Sequence, residues 1–213
     1  MAKPLTIAIV SDVVCPWCYL GKRRLERALA ELDRPAEIQW LPYELNPDMP
    51  QEGMERGAYR EAKFGAERAA QYDAQLTALG EEEGVPFAFG RQARTPNTRR
   101  AHQLIAFAAS EGKSDAVVEA LFKAYFEDGR DVGDEEVLGD IAAASGIDRR
   151  TALMAIRDTG LASYVADLER QAGGLGIQGV PFFIVDQTWA ISGAQAPEQW
   201  VAAIRERSGE AGA

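Results

Sequence analysis

The chain has 213 residues, 46% of them hydrophobic, and carries a formal net charge of −10. This length and apolar content suffice for a full core without cysteine cross-links, and the acidic balance argues against nucleic acid as a partner. The first apolar run, residues 5–10, is too short for a secretory leader or a membrane span, so we expect a cytoplasmic protein with no membrane partner.

The amino-terminal part predicts a β-α-β unit. Residues 5–10 form a short apolar run rich in Ile and Val, which is typical of a buried strand. A helical pattern follows from Cys15 to about Asp33, and residues 37–41 predict a second strand. The only two cysteines, Cys15 and Cys18, therefore lie at the carboxyl end of the first strand, where open α/β sheets place their chemistry.

The motif Cys15-Pro16-Trp17-Cys18 indicates a redox-active pair. A thiol in the first turn of a helix lies near unpaired N–H groups that favour the thiolate, and a spacing of three residues lets a disulfide close. Pro16 suits the first helical position. Inert thiols, half of a zinc site and a structural disulfide are the alternatives. Zinc would need more ligands than His102 can add, and a two-residue loop gives a disulfide little to stabilise, so we predict no metal site.

The middle of the chain predicts an insertion made only of helices. A connector rich in Pro, Gly and Met at residues 46–57 leads into about 115 residues with little strand pattern. Apolar residues recur there at helical spacing, and we interpret these stripes as core. The acidic run at residues 81–83 is interpreted as a solvated face or a helix start. The glycine-rich residues 173–179 end the helical run.

The carboxyl-terminal part predicts two strands and a helix. Residues 182–185 and 188–192 read as strands joined by a tight turn, and Pro197 begins a final helix. We predict an α/β domain formed by residues 1–45 and 175–213, with residues 46–174 as the helical insertion. Pro181 directly precedes a strand, and we expect a cis Val180–Pro181 bond that presents the Val180 backbone to a substrate.

His102 is the single histidine and lies beside the apolar stripe of its predicted helix. A lone histidine is more often satisfied or half-exposed than catalytic. If its helix packs over Cys15, the imidazole could stabilise a thiolate there, which makes His102 an accessory candidate.

Three features together resemble one known family. They are the segment Ser11-Asp12-Val13-Val14-Cys15-Pro16-Trp17-Cys18-Tyr19-Leu20-Gly21, the helical insertion, and Gly179-Val180-Pro181. They resemble the DsbA-type thioredoxin-fold oxidoreductases, in particular their FrnE-like cytosolic branch. The resemblance implies a thioredoxin fold (β-α-β … β-β-α) interrupted by the insertion. It also implies that Cys15 attacks, Cys18 resolves, Pro16 and Trp17 tune the site, and Val180 with Pro181 shapes the substrate groove.

Two departures from relatives bear on function. Strongly oxidising periplasmic members carry histidine where this chain has Trp17, so strong oxidant character is not carried over. The related glutathione-dependent isomerases and kappa-class transferases usually carry serine at the position of Cys15 and lack an equivalent of Cys18. We therefore expect a disulfide oxidoreductase that reduces, forms or isomerises disulfides.

The alternatives are a glutathione-dependent isomerase or transferase for aromatic or polyketide-derived molecules, and a chaperone-like binding module. We expect no tightly bound cofactor, with glutathione as a possible co-substrate. The expected partners are a disulfide-containing protein or a small thiol, and the chain acts as a monomer or homodimer.

Overall fold

A computed structural model describes residues 4–208, which form nine helices and six strands. The strands are β1 (Leu5–Ser11), β2 (Ala36–Pro42), β3 (Met54–Glu55), β4 (Arg94–Thr95), β5 (Phe182–Val185) and β6 (Trp189–Ser192). The helices are α1 (Pro16–Glu31), α2 (Arg56–Phe64), α3 (Ala66–Glu83), α4 (Arg99–Ser110), α5 (Ser114–Phe126), α6 (Glu135–Ala144), α7 (Arg149–Ala155), α8 (Thr159–Gly174) and α9 (Pro197–Ser208).

The main sheet has the strand order β2-β1-β5-β6. β1 is parallel to β2, and α1 connects them, whereas β1–β5 and β5–β6 are antiparallel. The turn between β5 and β6 comprises residues 186–188 and places Asp186 and Gln187 at φ values of 48° and 57°. Such left-handed turns match the twist of a hairpin. The sheet is thus assembled from both ends of the chain, which is the predicted α/β thioredoxin arrangement.

Alternation along β1 divides the sheet into two faces. Ile7 and Ile9 point into the main core, together with Phe183 of β5 and Trp200 of α9. The rings of Phe183 and Trp200 meet edge to face with centroids 4.9 Å apart. Val10 points to the opposite face and packs into a second, smaller apolar cluster. Both faces of the sheet are therefore covered, as a strand with nearly continuous apolar sequence requires.

The helices between β2 and β5 share the main core with the sheet. Tyr19 of α1 stacks on Phe122 of α5 with ring centroids 4.9 Å apart, and Trp40 of β2 meets Phe122 edge to face at 6.5 Å. Lys22 and Arg23 of α1 pair with Glu119 of α5. Helix α1 is therefore held between the sheet and the inserted helices.

Three sequence predictions need correction. The insertion is not made only of helices, because β3 and β4 pair there as a short antiparallel ribbon. α8 continues through Gly174 instead of breaking at residue 173. In the acidic run, the Glu83 side chain is 8% exposed and pairs with Arg24 and Arg27 of α1, so it is not on a solvated face. The proposed boundaries at residues 45 and 174 remain a prediction.

Candidate active site

The two cysteines lie in the first turn of α1. Cys15 is the residue before the helix, with φ −90° and ψ 111°, and Pro16 follows at the first helical position. The Cys15 N–H donates to the Asp12 carbonyl at 3.0 Å, and the Cys15 carbonyl accepts from the Cys18 N–H at 3.0 Å. The turn after β1 and the start of the helix therefore fix the backbone of the whole motif.

Cys15 faces the segment that precedes β5. Its thiol donates to the carbonyl oxygen of Val180 at 3.7 Å, and the Val180–Pro181 peptide bond is cis. Gly21 of α1 allows this approach, because a Cβ at Gly21 would lie 3.0 Å from Cγ of Pro181. The structure thus brings Cys15 and Cys18, near the start of the chain, together with Val180 and Pro181, near its end.

The two thiols have different surroundings. Both are free and buried, with residue exposures of 4% for Cys15 and 2% for Cys18. Burial raises the pKa of the Cys18 thiol well above its usual value, and the neighbouring Cys15 sulfur raises it further. The Ser11 hydroxyl and the Asp12 backbone lower this pKa without offsetting the rise. Trp17, by contrast, is exposed between the two cysteines. Cys18 is therefore held as a neutral thiol.

A small cleft of about 110 Å³ opens beside this turn and is lined in part by Val14 and Pro16. On its far side, the Lys63 ammonium donates to Oδ1 of Asn46 at 2.9 Å and to the Tyr59 hydroxyl at 2.6 Å. Neither partner is a carboxylate, so these two contacts do not offset the charge of the lysine at the cleft.

His102 contacts Asp12 and not the cysteines. It is 3% exposed, and its Nε2 lies 3.4 Å from Oδ1 of Asp12, within ion-pair distance but without hydrogen-bond alignment. His102 is therefore not half-exposed but lies in the core, paired with Asp12. Asp12 is fully buried, and its Oδ2 accepts from the Leu45 N–H at 2.8 Å. His102 thus reaches the active-site turn through the acid at its beginning.

Several residues of this region were missed from the sequence. Ser11 and Asp12 were noted only as parts of a motif, yet both are buried behind the cysteines. An acid at the end of an apolar strand, just before a CxxC motif, is a signal that could have drawn attention to Asp12. Glu44 and Glu169 are also brought close to His102, and no spacing in the sequence links them.

Within residues 4–208, no group of three or more His, Cys, Asp or Glu side chains could hold a metal ion. Over the same range, no helix is long and apolar enough to cross a membrane.

Comparison with known proteins identifies the family. Residues 6–205 match the DSBA-like thioredoxin domain family. The chain belongs to this family. A probable DsbA oxidoreductase from Streptomyces coelicolor is 32% identical and superposes with a TM-score of 0.87, over 98% of this chain and 92% of that one. As a DSBA-like protein, the chain carries its Cys15–Cys18 pair at the start of α1.

Two more distant structures share the DSBA-like fold. The cytosolic disulfide reductase DsbM from Pseudomonas aeruginosa, solved with GSH, is 21% identical with a TM-score of 0.66, over 95% of this chain and 98% of that one. A 2-hydroxychromene-2-carboxylate isomerase is 15% identical with a TM-score of 0.73, over 97% of this chain and 100% of the isomerase chain. At these identities the likeness is one of fold.

Proposed function

We propose that this protein is a thiol–disulfide oxidoreductase in which Cys15 is the attacking cysteine and Cys18 the resolving one. The observation that carries the proposal is the asymmetry of the pair. The Cys15 sulfur lies at the start of α1, 3.7 Å from the Val180 carbonyl, whereas Cys18 lies behind it with a raised pKa. Only a thiolate attacks a disulfide, so the two cysteines have distinct tasks.

The reaction follows thiol–disulfide exchange. The Cys15 thiolate attacks one sulfur of a substrate disulfide, and the other substrate sulfur leaves as a thiolate. Cys18 then loses its proton and attacks the Cys15 sulfur, which releases the second substrate thiolate. The substrate disulfide is reduced, and Cys15 and Cys18 are oxidised to a disulfide. A low-molecular-weight thiol such as glutathione would return the pair to the dithiol, and reversal of the same steps would oxidise a substrate.

A cytoplasmic site of action would favour the reducing direction, because that compartment keeps thiols reduced. The related DsbM is described as a cytosolic disulfide reductase. We propose that this chain also acts in the cytoplasm, on a disulfide-containing protein or a small disulfide, as a monomer or homodimer.

Substitution of each cysteine tests the two roles. Cys15→Ser should abolish glutathione-driven reduction of insulin. Cys18→Ala should still react but accumulate a mixed disulfide with the substrate, detected by mass spectrometry under mild oxidation. Insulin reduction by Cys15→Ser at the wild-type rate would refute the proposal, and so would failure of Cys18→Ala to trap substrate.

A second candidate function is a glutathione-dependent isomerase acting on an aromatic small molecule. The cleft beside Pro16 favours it, because the Lys63 ammonium is placed to bind a carboxylate of glutathione. Glutathione binding measured by calorimetry should weaken about fivefold in Lys63→Gln, but not in Lys123→Gln, a control on the exposed side of α5. Substrate turnover that survives replacement of both cysteines by serine would select the isomerase over the oxidoreductase.

A further inference from the structure

The segment that faces the attacking cysteine, Val180–Pro181, is held from the opposite strand of the β5–β6 hairpin. Phe182 and Ser192 form the last pair of the ladder on this side. Beyond that pair, the carbonyl of Pro181 accepts from the Gly193 N–H at 2.9 Å. The position of Pro181 therefore depends on the short stretch of chain that follows β6.

Residues 193–195, which we call the β6 turn, are fixed by a side chain of α1. Within the turn, the Gln195 N–H donates to the Gly193 carbonyl at 3.0 Å. A Cβ at Gly193 would meet only the Gln195 side chain, at 3.7 Å, so little packs against this glycine. The Ala194 carbonyl accepts from Nη1 of Arg24 at 2.6 Å. This bond attaches the β6 turn to α1.

The Arg24 guanidinium is itself oriented by Glu83, the last residue of α3. Its Nε donates to Oε1 of Glu83 at 2.7 Å, while Nη1 reaches Ala194. The two side chains are 14% and 8% exposed, so water competes weakly for these contacts. A guanidinium is planar and holds its donors at fixed angles, which lets one arginine bind a carboxylate and a carbonyl together. The single ammonium of a lysine does not reproduce this geometry.

The same face of α1 also meets Pro181 directly. Gly21 lies three residues before Arg24, and residues at this spacing are neighbours on a helix surface. A Cβ at Gly21 would lie 3.0 Å from Cγ of Pro181 and 3.6 Å from Cβ of Ala194. Close packing at Gly21 and a hydrogen bond from Arg24 thus hold both sides of the hairpin end. The helix that begins at the cysteine motif therefore also sets where Pro181 lies.

We propose that Arg24 is a positioning residue: held by Glu83, it fixes the β6 turn and so keeps Val180–Pro181 in place for a polypeptide substrate. This role rests on the proposed oxidoreductase function. Arg24 binds Glu83 and Ala194 and neither cysteine, so it acts through the segment and not on the reacting sulfurs. A polypeptide that carries the disulfide lies along the Val180 backbone, whereas a small disulfide needs only the Cys15 sulfur.

Arg27 separates this role from simple pairing of α1 with α3. It lies on the same helix and binds the other carboxylate oxygen of Glu83, and its side chain is 55% exposed. The contact of Arg27 ends at that carboxylate, whereas Arg24 continues to Ala194. Replacement of either arginine disturbs the ion pair with α3, but only replacement of Arg24 releases the β6 turn.

Two kinetic measurements test the proposal: glutathione-driven reduction of insulin, and the rate at which the reduced protein attacks a small aromatic disulfide. Arg24→Lys should raise the KM for insulin at least about fivefold, the effect of losing one charge-assisted hydrogen bond. Its kcat and its rate with the small disulfide should stay within twofold of wild type, because only binding of the polypeptide is weakened. Arg27→Lys is the matched control and should keep all three values within twofold.

Two further measurements follow the contact itself. Glu83→Ala should raise the KM by a similar factor, and its combination with Arg24→Lys should raise it no further, because both act through one contact. Amide hydrogen exchange of Gly193, measured by NMR, needs no substrate. It should be at least about fivefold faster in Arg24→Lys than in Arg27→Lys, because the β6 turn opens more readily.

An insulin KM within twofold of wild type in Arg24→Lys, or an equal rise in Arg27→Lys, would overturn the positioning role. Equal losses of insulin reduction and of reactivity with the small disulfide would also overturn it, because they indicate a structural defect at Cys15. Lack of insulin reduction by the wild type would instead overturn the proposed function, and the exchange rate of Gly193 would still test the contact.

Discussion

At the scale of single residues, the two cysteines of one short motif differ in their surroundings, and their thiols therefore differ in their chemistry. Their spacing predicts that both lie on one helical turn, and the structure bears this out. The spacing does not reveal that Val180 faces Cys15 or that Ser11 and Asp12 lie behind Cys18. These contacts depend on the order of strands in the sheet. The sequence therefore predicted the reacting pair but not the difference between its members.

The same limit explains why Glu169 was missed. It lies in a helical segment whose sequence resembles a solvated face, with Asp167 and Arg170 close by. Glu169 comes near His102, which lies 67 residues earlier in the chain, only because α8 packs beside α4. No spacing in the sequence links Glu169 to His102, so their proximity could not be predicted.

The raised pKa of Glu169 predicts a pH-dependent stability. In the folded protein this pKa is about 7, whereas the ordinary value is 4.5. Between these values the native state keeps a proton that the unfolded chain has lost, so Glu169 makes the free energy of unfolding fall as pH rises through this window. Glu169→Gln lacks this proton and should unfold like wild type at pH 4. At pH 8 it should be more stable by about 1 kcal/mol, a value reduced for the partial exposure of the side chain.

Urea denaturation at the two pH values measures this difference, with Asp167→Asn as the control expected to show none. A stabilisation of Glu169→Gln that is equal at pH 4 and pH 8 would contradict the raised pKa.

At the scale of elements, apolar patterns predicted most boundaries well. β5 was predicted at its observed bounds, and β1 within one residue, because short apolar runs between turn residues leave little freedom. The β3–β4 ribbon was missed because two residues per strand carry no alternation. Glu83 was misread because its partner Arg24 lies on another helix. Local pattern thus predicts elements, and long-range pairing decides what their polar residues do.

Gly21 is the point at which α1 meets the Pro181 segment. An added Cβ would lie 3.0 Å from Pro181 Cγ and 3.1 Å from Phe183 Cζ, closer than most such contacts. Gly21→Ala should therefore push this segment away from Cys15. We expect a loss of about 1–3 kcal/mol in unfolding free energy and at least a fivefold slower insulin reduction.

The matched control for this prediction is Gly173→Ala in α8, where an added Cβ meets nothing within 4 Å. A helical glycine with open space should gain about 0.5–1 kcal/mol from alanine without a change in insulin reduction. A Gly21→Ala variant that is as stable and active as wild type would show that the contact between α1 and Pro181 is not needed.

At the scale of the whole molecule, the chain leaves its sheet after β2 and returns to it at β5. The prediction of a divided α/β part followed from the β-α-β and β-β-α patterns at the two ends. What the patterns could not show is how closely the inserted helices share its core. Phe122 of α5 stacks on Tyr19 and touches Trp40, and Lys22 reaches Glu119. Two units separate in sequence thus bury one continuous apolar cluster.

This shared core predicts that the sheet and the inserted helices unfold together, and the chain offers a separate probe for each. All four tryptophans lie outside residues 46–174, at Trp17, Trp40, Trp189 and Trp200. Most helical residues lie inside that range. Tryptophan fluorescence therefore reports on the sheet and its two helices, while far-ultraviolet circular dichroism reports mainly on the insertion. In urea both signals should give the same midpoint, because neither part keeps its core without the other.

Phe122→Ala gives the sharper form of the same test, since it removes a fully buried ring from the insertion. It should cost about 3–5 kcal/mol and lower the fluorescence midpoint as much as the circular dichroism midpoint, although residue 122 is not in the part that holds the tryptophans. Met154→Ala, at an exposed position of α7, is the control. By either signal, it should change the free energy of unfolding by less than about 0.5 kcal/mol. If Phe122→Ala lowered the circular dichroism midpoint alone, the inserted helices would be an independent folding unit. Their contact with α1 would then stabilise neither the sheet nor the turn that carries Cys15.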